Sequence, residues 1–224
     1  MFVSVLGDSI GTFAGYAQAN YPVFYTSEKN AELGLSSVED TWWMQLIEAQ
    51  DWRFLKNASY SGQKVIESGF GYGIAEQQAF LLRTEDADPD IILVYMGVND
   101  FACGIPDHWF PRRESNENFH KSLCEMLCRL RNMYPDAQIL CGTLMRTTVK
   151  NKSDWVFPER FGGRPFDKYN LAIREAVEHE HCTLVDLVAT GIRYETLDGV
   201  HPDQKGHADI AKAWKICLDS TVLN

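Results

Sequence analysis

The chain has 224 residues, 45% of them hydrophobic and 23% charged, which suits one generous domain and is short for two. Its net charge of -10, from 21 Lys+Arg against 31 Asp+Glu, opposes binding to nucleic acid or an anionic membrane surface and fits action on small or neutral molecules. No uncharged run reaches the roughly 18 residues of a membrane span. No basic segment leads into a sustained apolar stretch at the start either, so the expectation is a cytoplasmic protein, not inserted in a membrane, with its six cysteines reduced.

In chain order, apolar runs at 2–6, 52–57, 91–96, 138–143 and 183–187 read as strands. The third, Ile-Ile-Leu-Val-Tyr-Met, is continuous rather than alternating, as a central strand covered on both faces should be. Helices are expected at 41–50, 75–83, 117–134, 168–179 and 205–218. In the third of these Phe119, Leu123, Met126, Leu127, Leu130 and Met133 recur at helical spacing before Pro135. Strand–helix alternation implies right-handed crossovers and one α/β domain over 1–224, a three-layer α/β/α sandwich with a flavodoxin-like five-stranded parallel sheet. Ligands bind such sheets at the carboxyl ends of the strands. Two segments, 14–40 and 144–165, are longer than a connection requires and are expected to overhang that edge.

Four segments place reactive groups there. Strand 1 runs into Gly7-Asp8-Ser9-Ile10, and Ala58-Ser59-Tyr60-Ser61-Gly62 follows strand 2. Strand 3 ends in Gly97-Val98-Asn99-Asp100, and Asp198-Gly199-Val200-His201-Pro202 precedes the last helix. Each piece alone reads as a turn, an N-cap or a surface histidine. Their conjunction, in this order and at these strand ends, supplies a hydroxyl, oxyanion donors, and a base with a carboxylate beside it.

These blocks resemble those of the SGNH (GDSL-type) hydrolases, from residue 7 to residue 206 and in that family's order. Gly-Asp-Ser, Gly-x-Asn-Asp and Asp-x-x-His-Pro match almost verbatim, while Ile10 replaces the commonest Leu and Gly11 stands where a hydroxyl residue is frequent. The resemblance implies a serine esterase with Ser9 as nucleophile, His201 as base and Asp198 as its orienting partner. It also implies an oxyanion hole made by the backbone N–H groups of Ser9 and Gly62 and the side-chain amide of Asn99. The chemistry agrees. A serine hydroxyl needs a base to take its proton, a histidine can do so near neutral pH, and a carboxylate three residues away can fix the tautomer. Glycine at 62 lets a backbone N–H approach the substrate closely.

Other readings are weaker. Gly7-x-Ser9-x-Gly11 satisfies the nucleophile elbow of α/β-hydrolases, but only one strand precedes it here. His179 and His181 with Cys182, and Cys124 with Cys128 on one helix face, each lack a second ligand pair. No metal or other cofactor is therefore expected. His207 has no evident partner, and Gly69–Gly73 matches no phosphate loop. Trp42, Trp43 and Trp155 are the candidate substrate-binding aromatics, although helix packing competes for the first two and at least one belongs in the core. Tyr21, Phe24, Tyr25, Phe157 and Phe161 sit on the long loops and could form a platform for a sugar ring or acyl chain. The expected partner is a small-molecule ester. O-acetyl groups on small, imported carbohydrates come first; a lysophospholipase or thioesterase acting on longer acyl chains, or a non-catalytic carbohydrate-binding module, are the alternatives.

Overall fold

A computed structural model describes residues 1–66, 81–104 and 118–221. β1 (Phe2–Gly7), β2 (Arg53–Asn57), β3 (Ile91–Tyr95), β4 (Gln138–Gly142) and β8 (Thr183–Val185) form one sheet in the order β2-β1-β3-β4-β8. Every pairing in it is parallel. β3 lies at the centre and all five of its residues are buried, which is what its unbroken apolar run required. The reversal of strand order beside β1 leaves a crevice at the carboxyl ends of β1 and β3, the usual ligand position in open parallel sheets.

Two helix pairs cover the sheet. α2 (Trp42–Ala49) packs on α6 (Gln204–Thr221), and α4 (Phe119–Met133) packs on α5 (Phe166–His179). α4 buries Phe119, Leu123, Met126, Leu127 and Leu130, the expected stripe, and starts directly after its cap Asn118, whose side chain accepts from Lys121 N–H. α5 begins two residues before the expected 168, directly after Pro165, which cannot extend a helix backward. Of the helix expected at 75–83, residues 75–80 lie outside the described residues and 81–83 are not helical. Gly69–Gly73 also lies outside them. Among the described residues no helix is long and apolar enough to cross a membrane.

The long segments are more structured than their sequence suggests. The first holds α1 (Ser27–Leu33), capped by Thr26 and closed by Gly34 in the left-handed region. The second holds β5 (Thr147–Val149), which pairs in parallel with β9 (Tyr194–Thr196), and a hairpin of β6 (Arg160–Phe161) with β7 (Arg164–Pro165). β9 delivers the chain into the Asp198–His201 loop, so this small second sheet places the loop.

Candidate active site

The site is assembled from four strand ends. β1 stops at Gly7, and Ser9 opens a single 3-10 turn, Ser9–Gly11, whose cap is the Asp8 carboxylate accepting from Ile10 N–H at 3.0 Å. The turn packs tightly on the segment after β2: a Cβ on Gly11 would lie 2.6 Å from Ser59 Oγ. Asn57, the last residue of β2, ties the two together by donating to the Gly11 carbonyl (2.8 Å) and accepting from Ser59 N–H (2.9 Å). Thr12 donates to the Ser9 carbonyl and accepts from Phe24 N–H, which anchors the first long segment to the same turn.

His201 reaches the serine across the whole chain, with Nε2 3.0 Å from Ser9 Oγ. On its other side Nδ1 lies 2.7 Å from Asp198 Oδ2. The second Asp198 oxygen, Oδ1, accepts from the backbone N–H groups of Val200 and His201, both at 2.8 Å. Burial alone would raise the Asp198 carboxyl, but these bonds from His201 and Val200 outweigh it and hold it down at about 2. An ionised carboxylate only accepts, so the proton sits on Nδ1 and Nε2 turns its lone pair toward the Ser9 hydroxyl.

The loop that carries both groups is fixed by hydroxyls. Thr147 donates to the Gly199 carbonyl (2.9 Å), Tyr194 to Val200 (3.0 Å) and Tyr25 to Pro202 (2.9 Å). Thr196 Oγ1 accepts from Gly199 N–H and donates to Thr148 across the β5–β9 pair. Phe24 stacks flat on the imidazole, ring centroids 3.5 Å apart and planes 9° apart, which holds the ring in its plane.

Gly62 and Asn99 stand beyond the ends of β2 and β3. Gly62 has φ +83 in the turn after β2, a conformation that leaves open space at its α-carbon and that other residues adopt only with strain. Asn99 is in the first turn of α3 (Val98–Ala102), and one of its amide protons goes to the Gln63 carbonyl at 2.8 Å. The next residue, Asp100, is fully buried and accepts from Val65 N–H (2.9 Å) and Ile66 N–H (3.0 Å). The start of α3 therefore grips the segment from Gly62 to Ile66 at two points.

Asp8 and Asp100 form a buried carboxyl pair that the sequence did not single out, although both stand inside the recognised blocks. Burial, and for Asp8 also the charge of Asp100, raises Asp8 from 3.8 to about 7 and Asp100 from 3.8 to about 6, against the opposing backbone hydrogen bonds. Both folded-state values lie above the unfolded ones. As the pH rises from about 4 to about 7 the unfolded chain gives up these protons first, and stability falls. The melting temperature should therefore decline between about pH 5 and pH 8, and Asp8→Asn should flatten that slope even if it lowers the value at pH 5. An unchanged slope in differential scanning calorimetry would show that Asp8 does not titrate in this window.

The aromatics divide differently from the expectation. Trp42 and Trp43 do not face the site; both are fully buried. Trp42 stacks on Trp214 of α6 at 5.4 Å and donates to the Ile10 carbonyl, so it supports the Ser9 turn from behind. Trp43 packs on Phe54 and Tyr16. The two rings follow the Thr41 cap on adjacent positions and go separate ways, Trp42 to α6 and Trp43 to β2 and the first long segment. Trp155 is half-buried against Gly199, where an added Cβ would meet its ring at 2.8 Å, and so lies under the Asp198–His201 loop. Tyr25 and Phe157 are buried as well, whereas Tyr21 is half-buried and pairs with Tyr60 at 5.5 Å, two residues from Gly62.

A serine–histidine–aspartate chain at the switch point of a parallel sheet defines a class of hydrolases that run on a serine hydroxyl. The comparisons identify a family. Residues 1–154 match the family model described as GDSL-like Lipase/Acylhydrolase, and the chain belongs to that family. Among solved structures it is similar to a protein described as a GDSL-like lipase from Bacteroides ovatus, with TM-score 0.74, 21% identity and 98% of each chain covered. Another so described, from Bacteroides uniformis, gives TM-score 0.71 and 24% identity over 98% of this chain and 95% of that one. A family two carbohydrate esterase from Clostridium thermocellum gives TM-score 0.60 and 15% identity over 99% of this chain and 64% of that one. No curated protein matches the chain.

Proposed function

We propose that this chain hydrolyses carboxylic esters through an acyl-enzyme formed on Ser9. The observation that carries the reading is the continuous relay from Ser9 Oγ through His201 to Asp198, at 3.0 Å and 2.7 Å. His201 Nε2 takes the hydroxyl proton as Oγ attacks the ester carbonyl carbon. The negative charge that appears on the carbonyl oxygen is met by the N–H groups of Ser9 and Gly62 and by the free amide proton of Asn99. Collapse of the tetrahedral intermediate breaks the ester C–O bond, and His201 returns the proton to the departing alcohol. Water then attacks the acyl-Ser9, gives a proton to His201, and releases the carboxylic acid with the serine restored. Asp198 stays ionised throughout and stabilises the imidazolium.

The substrate we favour is a short acyl group, acetate first, on a carbohydrate hydroxyl. Two things support it: the fold shared with a carbohydrate esterase, and the Tyr21–Tyr60 pair beside Gly62, a surface on which a sugar ring can stack. The test is hydrolysis of p-nitrophenyl esters of increasing chain length and of acetylated sugars, before and after EDTA dialysis. Acetyl esters should be fastest, and the rate should survive dialysis because every group in the relay is a side chain or backbone amide. Faster turnover of octanoyl than acetyl esters would favour a lysophospholipase or thioesterase. A rate lost with EDTA and restored by zinc would overturn the metal-free mechanism.

A further inference from the structure

The sequence offered two half-sets of metal-ligand residues, and each was too small to bind an ion. The fold brings them together on the side of the molecule formed by α4 and α5. Cys124 projects from the second turn of α4, and His179 and Glu180 stand at the end of α5, which packs along α4. One ligand atom from each of Cys124, His179 and Glu180 lies within 4.8 Å of the others. His120, one turn before Cys124 on the same helix face, has Nε2 3.8 Å from the Cys124 sulfur.

We propose that Cys124, His179 and Glu180 form a binding site for a borderline-soft divalent cation, zinc being the best match, with water in the fourth position. Tetrahedral zinc with bonds of about 2.0–2.3 Å to nitrogen, oxygen and sulfur needs donor atoms roughly 3.3–3.8 Å apart, so the cluster has to contract by about 1 Å. The side chains allow it. The His179 side chain is 72% exposed and is held by the 2.8 Å contact from Nδ1 to Glu180 Oε1, which an ion between the two would replace. His120 lies one helical turn from Cys124, beside its sulfur, and is not one of the three ligands.

Charge points the same way. Glu180 is 7% exposed, and its other oxygen has Arg131 no closer than 3.8 Å. One divalent cation neutralises a thiolate and a carboxylate together, and the single proton lost from Cys124 goes to solvent. Cys128 and Cys182 border the cluster and favour a thiophilic ion over magnesium or calcium.

The test uses the full chain, reduced and stripped of metal. Cobalt(II) titration should give a sulfur-to-cobalt charge-transfer band and the visible bands of a tetrahedral ion, saturating at one equivalent, and zinc should displace the cobalt. Cys124→Ser should abolish the charge-transfer band. His179→Ala, at an exposed position that folding does not need, should weaken zinc binding by at least about tenfold, the usual minimum cost of losing a ligand or its support. His181→Ala, a neighbour outside the cluster, should change nothing. Absence of stoichiometric cobalt binding would overturn the proposal. So would a charge-transfer band that persists in Cys124→Ser and is lost instead in Cys128→Ser or Cys182→Ser.

Discussion

Ser9→Ala should lower kcat for ester hydrolysis by at least about 10⁴-fold, the largest loss of any single substitution in this protein. Among the described residues the Ser9 hydroxyl is the nucleophile with His201 Nε2 at hand in the proposed mechanism, and Ser9 itself is 3% exposed, so alanine fits its place without a steric change. The backbone of the turn is held by Asp8, Thr12 and Asn57, none of which uses the Ser9 side chain, and the variant should melt close to the native protein. A serine-directed phosphonate should add its mass to the peptide containing Ser9 and to no other. His201→Ala should cost a similar factor, and the double variant should be little worse than either single one, because the two residues act as a unit. Stoichiometric labelling of another serine with Ser9 untouched would end the proposed mechanism.

Asn99→Ala should reduce kcat and kcat/KM together by about 10²–10³-fold, or roughly 3–4 kcal/mol, with little change in KM. An oxyanion donor acts on charge that exists only in the transition state, so substrate binding is spared. The structure adds a second effect. Because Asn99 also donates to the Gln63 carbonyl, the alanine variant loosens the segment that presents Gly62 N–H. Asn99→Asp separates the two contributions: it keeps the size, removes both donated protons and sets a negative charge against the oxyanion. It should be slower than the alanine variant at neutral pH. If Asn99→Asp kept near-normal kcat while losing melting temperature, Asn99 would be a turn residue of α3 and not part of the oxyanion hole.

Local pattern determined a great deal here. The continuous apolar run of β3, the helical stripe of α4 and the alternation of strands with helices each follow from side chains a few residues apart, and together they specify the parallel sheet and the edge where chemistry occurs. The blocks around Ser9, Asn99 and His201 were legible for the same reason: each is a turn whose geometry is set within about four residues. What depends on distant pairing was not. β5 and β9 are three-residue strands that exist only because they meet each other, so the segment at 144–165 read as a loop. Trp42 and Trp43 are adjacent and aromatic, and sequence alone left the core and the substrate as rivals for them. The stack on Trp214 for Trp42 and the contacts with Phe54 and Tyr16 for Trp43 decided for the core. Phe24 lies far from His201 along the chain, and no periodicity announces a stack between them. Cys124 on α4 and His179 and Glu180 at the end of α5 form a cluster only through helix packing, because ligand geometry is a property of space and not of spacing along the chain.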